Sequence, residues 1–319
     1  MTRSSPVAAV RRLSKSYRSG VCALEALDVE FPSGRVTAIL GPNGSGKSTL
    51  LRILAGRLVP TAGDVLLLGL DRTPSSRALR ARVEYAPQGT ALDPEMTGEN
   101  TLRFFAALHG LSRSQARART EELAEELGFS AHLSRNVSSY SGGLRKRLQA
   151  ALSLLYPPDL FLLDEPTAGI DPEGRKILWR RLREQTRSGR TVLIVTQDLE
   201  EAEANADHVV LLDRGRLLAE GAPGDLIAIH GHDRVEITLR EPVPNASRLQ
   251  ETLRPLGAIE SIEVRDHDVS IVGRGLARPT ERLLAHLESG GVAIVGFRFR
   301  EPDLASVYFH LTGRPALKR

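Results

Sequence analysis

Residues 41–49 read GPNGSGKST, and the apolar run RVTAIL stands directly before them. The match to Gly-x-x-x-x-Gly-Lys-[Ser/Thr] is complete. Leu50, Leu51, Ile53 and Leu54 follow at helical spacing, so the segment is expected to run from a buried strand through a tight loop into a helix. Gly41, Pro42, Asn43, Gly44, Ser45 and Gly46 form a loop whose backbone N–H groups can approach phosphate oxygens closely, with the positive end of the helix dipole behind them. Lys47 is placed to neutralise the β- and γ-phosphates, Ser48 to offer its hydroxyl to Mg²⁺, and Thr49 follows as a further binding candidate. A nucleoside triphosphate with its Mg²⁺ is the ligand this pattern specifies.

A second signal is LFLLDE at residues 160–165, an apolar strand ending in two carboxylates. Open α/β sheets place ligands at the carboxyl ends of their strands. Asp164 is therefore a candidate to hold the metal through water. Glu165 is a candidate to orient or deprotonate water for in-line transfer of the γ-phosphoryl group.

The 319 residues allow one large domain and one small one, and 41% apolar content is enough for buried cores. One cysteine, Cys22, excludes an internal disulfide framework. The opening MTRSSPVAAVRRLSKSY has too short an apolar stretch for a signal peptide, and no apolar run has the length of a membrane span. A net charge of +4 suits anionic lipid and nucleic acid equally, so it discriminates little. Residues 6–70 read as β-rich around the phosphate loop, and residues 97–128 as two amphipathic helices with a polar turn at Leu111 and Ser112. From residue 142 to 212 strands and helices alternate as in an α/β, mostly parallel sheet. The first domain is expected over 1–229 and the second over 233–319. His230, Gly231 and His232 read as a linker with solvent-facing histidines, because no further Cys or His lies at ligand spacing. Residues 234–300 have the order β-α-β-β-α-β of a ferredoxin-like module, followed by a short amphipathic helix in EPDLASVYFHLTGR.

Between the two nucleotide motifs lies Tyr140-Ser141-Gly142-Gly143-Leu144. The order of motifs resembles the ATP-binding cassette (ABC) ATPases, whose signature is Leu-Ser-Gly-Gly-Gln. Two of the five positions differ here, while Ser141, Gly142 and Gly143 are kept. The resemblance implies that these three serve ATP held by the other subunit of a head-to-tail dimer. It also implies that Tyr17 stacks on adenine, that Gln88 reaches Mg²⁺ and the attacking water while linking to a membrane partner, and that Asp171 couples the two nucleotide sites. Asp171 also reads as the N-cap of the following helix. One station departs from the pattern: Thr196-Gln197-Asp198 follows the strand TVLIV where the family has Thr-His-Asp. Gln197 can donate a hydrogen bond to the γ-phosphate but carries no charge.

The fold implied is an α/β P-loop cassette with a mostly parallel core sheet, an antiparallel β segment and a helical subdomain, followed by a small α+β C-terminal domain. The tail helix and YAPQGTALDPEMTGEN around Gln88 resemble the ABC-2 exporter group, which includes bacterial drug-resistance exporters. The function implied is that of a cytoplasmic ATPase, peripheral at the inner face of the membrane, which pairs with a second nucleotide-binding subunit and drives a separate ABC-2 permease. No nucleic acid partner is expected. A soluble ABC ATPase acting on ribosomes or nucleic acid is the alternative, although this chain has one cassette and no heptad run. A cassette that binds without turnover is a further one, kept open by Gln197.

Overall fold

Five-residue apolar runs build the centre of the first unit: Val36–Leu40 (β3), Leu160–Asp164 (β7) and Thr191–Val195 (β8) are buried along their whole length. Strands covered on both faces require such continuous runs, because neither face meets water. In the computed structural model, which describes residues 5–71, 79, 82–89, 92–242, 251, 259–289 and 292–313, these strands belong to a six-stranded sheet. The other members are Val83–Ala86 (β6), His208–Asp213 (β9) and Arg216–Gly221 (β10). The order is β10-β9-β3-β8-β7-β6, parallel except for the β9–β10 pair. Strands β3, β7 and β8 thus sit side by side and deliver their carboxyl ends, and the residues that follow them, to one edge.

A second sheet, antiparallel, has the order β2-β1-β4-β5: Cys22–Phe31, Ala8–Ser16, Ala62–Leu67 and Leu70–Asp71. The helix Lys47–Leu54 (α1) packs into one core with both sheets through Leu50, Leu51, Ile53 and Leu54. Gly98–Leu108 (α2) and Arg113–Glu126 (α3) form the helical pair. Thr97 caps the first, and Ser112 caps the second in a reciprocal box with Gln115. Gly142–Leu154 (α4), Pro172–Arg187 (α5) and Leu199–Asn205 (α6) complete the unit.

Contacts divide the chain between Ala222 and Pro223, earlier than the 229/233 boundary expected from sequence. Packing explains the difference, since helix Pro223–His230 (α7) lies against the helix Leu304–Thr312 (α9) of the second unit. His232 is 3% exposed, so the reading of a solvent-facing linker is corrected. The second unit contains an antiparallel sheet of order β12-β13-β11-β14, from Ile259–Arg265, Asp268–Gly273, Asp233–Leu239 and Ile294–Arg300. The helix Ala277–Ser289 (α8) buries Leu283 and Leu287 in a core with Val235, Ile237 and Ile271. Apart from Glu251, the first helix of the expected ferredoxin-like order, ASRLQETLRPL, lies outside the described residues.

Glu84 on β6 is a half-buried carboxyl near His109 Nε2, 3.7 Å away, at the end of α2. Burial pushes its pKa from 4.5 up to about 7, with Arg57 opposing the rise. A carboxyl raised in the folded state favours the proton, so its stabilising contribution is complete below pH 4.5 and is lost as the pH climbs through about 7. At about 1.4 kcal/mol per unit the loss is on the order of 3 kcal/mol. Glu84→Gln should therefore be the more stable protein above pH 7 and match wild type near pH 4.5. Urea unfolding followed through Trp179, in the same unit, checks this; an equal difference at both pH values would refute it.

Candidate nucleotide site

The loop between β3 and α1 can take its shape only with glycine at two positions. At Gly41 (φ 149°) a Cβ would stand 2.1 Å from the Leu212 carbonyl oxygen, and at Gly46 (φ 101°) 2.4 Å from that of Ala23. Both backbones are in the region that side chains avoid, and both are enclosed by neighbouring strands. Lys47 is 5% exposed and folds its ammonium back onto the loop, donating to the Gly41 carbonyl at 2.8 Å and to that of Pro42 at 2.9 Å. Burial lowers its pKa, against the pull of Glu165 and Asp164. The hydroxyl of Ser45 is buried without a hydrogen-bond partner.

Ser48 Oγ donates to Asp164 Oδ1 at 3.0 Å, so the helix start and the end of β7 meet through two oxygens. Desolvation raises the Asp164 pKa; the Ser48 hydrogen bond opposes this, and the neighbouring Glu165 charge adds to it. A hydroxyl and a carboxylate at this separation are the hard oxygen ligands Mg²⁺ takes, usually with several waters. The uncapped N–H groups of α1, the unpartnered Ser45 hydroxyl and the Lys47 ammonium likewise fit a polyphosphate.

Glu165 is bracketed by two amides. Gln88 Nε2 donates to its Oε2 at 2.6 Å, and Gln197 Nε2 donates to its Oε1. Its backbone is left-handed at φ 50°, with the N–H donating to Val195 O at 2.9 Å. That conformation costs about 1–2 kcal/mol for a residue with a Cβ. It turns the carboxylate off the strand end toward Gln88 and Gln197. Tyr17, 36% exposed, places its hydroxyl 3.2 Å from Thr49 Oγ1 at the side of α1, with Lys15 Nζ 5.6 Å from its ring centroid.

Lys47, Ser48, Asp164, Glu165, Gln88 and Gln197 thus form one constellation, and Tyr17 joins it through Thr49. Ser141, Gly142 and Gly143 stand apart from it. Ser141 caps α4 by accepting from Leu144 N at 3.2 Å, and a Cβ on Gly142 or Gly143 would meet nothing within 4 Å. No hydrogen bond among the described residues joins these three to residues 41–49. Open space surrounds the start of the signature helix at Gly142 and Gly143. Asp171 caps α5 through Gly174 N at 3.3 Å and is held below the usual carboxylate range by Arg147, whose Nη2 lies 2.7 Å from Oδ1.

A glycine loop, a capped SGG helix and strand-end carboxylates follow one another in this order along the chain. A family model described as "ABC transporter" matches residues 24–168. The daunorubicin resistance ATP-binding protein DrrA3 of Streptomyces coeruleorubidus is 38% identical over 294 residues, 91% of either chain. The chain belongs to the ABC transporter family. As an ABC ATPase cassette it is also 36% identical to the Nod factor export ATP-binding protein I of Cupriavidus metallidurans, over 96% of this chain and 97% of that one. A solved ATP-binding subunit of an ABC transporter superposes with a TM-score of 0.64 at 29% identity, covering 70% of this chain and 92% of that chain.

Residue spacing did not disclose the cassette's contacts from α4. Lys146 Nζ donates to the Gln88 carbonyl at 3.3 Å, and Arg147 joins Asp171 to the carbonyls of Leu127 and Gly128. The basic pair after the signature was the available signal, but its partners lie in other segments.

Because Gln197 contacts Glu165, its removal should disturb the orientation of the carboxylate more than the binding of phosphate. Gln197→Ala is expected to lower kcat by about 10²-fold, the scale of a catalytic group displaced by about 1 Å, with ATP affinity nearly unchanged. Steady-state turnover paired with equilibrium ATP binding measures both. Unchanged turnover, or a loss confined to affinity, would contradict the positioning role.

Proposed function

We propose that this cassette is the ATP-hydrolysing subunit of an ABC-2 type exporter, coupled to a separately encoded membrane permease and working as a dimer that closes on ATP. The observation that carries the reading is the split of the site: a phosphate loop, metal-binding oxygens and a held carboxylate lie together, while open space surrounds the start of the capped signature helix. A second nucleotide-binding subunit, preferably an identical copy, would bring Ser141 and Gly143 onto the γ-phosphate held by Lys47. Likeness to the daunorubicin-resistance and Nod factor export ATP-binding proteins supports the exporter assignment. No helix among the described residues is long and apolar enough to cross a membrane, which agrees with attachment through a permease at the cytoplasmic face.

In this mechanism Lys47 leaves the Gly41 and Pro42 carbonyls to pair with phosphate, and the N-terminus of α1 stabilises the same negative charge. Ser48 and Asp164 would hold Mg²⁺, with Gln88 within reach of the site; the ion supplies charge neutralisation at the transferring phosphoryl group. Glu165, aimed by Gln88 and Gln197, orients the attacking water and accepts its proton. Cleavage removes the anchor shared between subunits, and the dimer reopens. Tyr17 supports adenine, and Asp171 carries its coupling role from the N-cap of α5. The second unit, without a catalytic constellation in this reading, modulates dimer lifetime. Gln197 offers an amide where the family has an imidazole, so basal turnover is slow and Gln197→His raises kcat.

Lys47→Ala should weaken ATP binding, whereas Glu165→Gln should keep ATP and accumulate as a dimer, because only the step that separates the subunits is blocked. Sedimentation of both variants with Mg²⁺ and ATP distinguishes the phenotypes. A Glu165→Gln chain that binds ATP yet stays monomeric, under conditions where the permease-bound wild type turns over, would refute the closing dimer.

A further inference from the structure

We propose that His232, Glu260 and His310, in the second unit, form a binding site for one divalent transition-metal ion of the zinc type. The three residues are distant in sequence: His232 lies between α7 and β11, Glu260 on β12 and His310 on α9. Folding brings one donor atom of each within 4.8 Å of the others. The two imidazoles stack with centroids 4.3 Å apart, and His232 Nε2 lies 2.9 Å from Glu260 Oε1. Donors about 2.0–2.2 Å from one ion at tetrahedral angles stand about 3.3 Å apart, so this pair is nearly set for coordination.

Hydrogen bonding within the protein does not account for the His232 ring. Its Nδ1 is buried with no partner. Its Nε2 faces an acceptor, Glu260 Oε1, and at 3.3 Å a donor, Arg274 Nε. A protonated Nε2 satisfies the carboxylate and opposes the guanidinium, and a bare Nε2 does the reverse. No tautomer satisfies both. A metal ion would resolve the conflict at Nε2, because it can take the nitrogen lone pair and the carboxylate oxygen together.

Arg274 is a cation that would compete with a metal ion for these groups. Its Nε is 3.8 Å from Glu260 Oε1, and its Nη2 donates to the Ile229 carbonyl at 2.8 Å. The side chain is 51% exposed, so it can exchange these contacts for water as an ion enters. Glu260 and His310 are exposed, which gives the ion an entry path, while buried His232 anchors it. Two imidazoles and one carboxylate, with room for water, are the ligand set of an open zinc site. They suit Mg²⁺ and Ca²⁺ poorly, because those ions prefer all-oxygen shells. Binding would tie α7, the sheet and α9 together.

The test uses the full chain stripped by chelator, titrated with Zn²⁺ by calorimetry and with Co²⁺ by visible absorption, each in the presence of excess Mg²⁺. One ion per chain in the micromolar range or tighter is expected, with the intense d–d bands of low-coordinate Co²⁺. Glu260→Gln and His310→Ala, at exposed positions and checked for folding by circular dichroism, should weaken binding by more than the about 10–100-fold that loss of an outer partner costs. Arg274→Gln should tighten it, because the competing cation is gone. Absence of a stoichiometric ion, displacement by Mg²⁺, wild-type affinity in both ligand variants, or no tightening in Arg274→Gln would overturn the proposal.

Discussion

A buried ammonium governs the first unit. Lys47 sits at the start of α1 with its charge nearly removed from water, and an isolated buried charge is strongly unfavourable. The loop compensates by turning the Gly41 and Pro42 carbonyls inward, which only a glycine-rich backbone enclosed by β2 and β9 can do. Asp164 and Glu165 add negative charge from the end of β7. The continuous apolar runs of β3, β7 and β8 are the means by which three segments far apart in sequence present this cation and these carboxylates at one edge.

The carboxylates are then held by parts that extend away from the sheet. Gln88 receives Lys146 from the signature helix on its carbonyl and donates its amide to Glu165. Arg147, one residue on, connects that helix to Asp171 and to the end of α3. A change at the capped start of α4 is thereby linked by side-chain contacts to both the candidate base and the N-cap of α5.

Local features were legible in the sequence and distant ones were not. The phosphate loop lies within nine residues of sequence, and its strand and helix are set by neighbouring residues. Asp171 likewise declared itself as a helix start, since a cap acts within one turn. The Glu165 bracket joins positions 88, 165 and 197, and its geometry depends on the order of β6, β7 and β8 in the sheet, which no periodicity encodes. Gln197 could be seen to lack a charge but not to aim at Glu165. Spacing along the chain also missed His232 and His310, because their meeting depends on α7 packing against α9. Strand β10, RLLAEG, carried too weak an alternation to be read.

The central claim is that the phosphate loop is held by its own lysine until an anion takes that lysine over. A crystal structure of the chain with Mg²⁺ and a non-hydrolysable ATP analogue tests it most directly. The account predicts that the Lys47 ammonium leaves the Gly41 and Pro42 carbonyls for phosphate oxygens, and that the metal sits between Ser48 Oγ and Asp164. Lys47 still bonded to both carbonyls, with nucleotide bound elsewhere or the metal away from that pair, would contradict it.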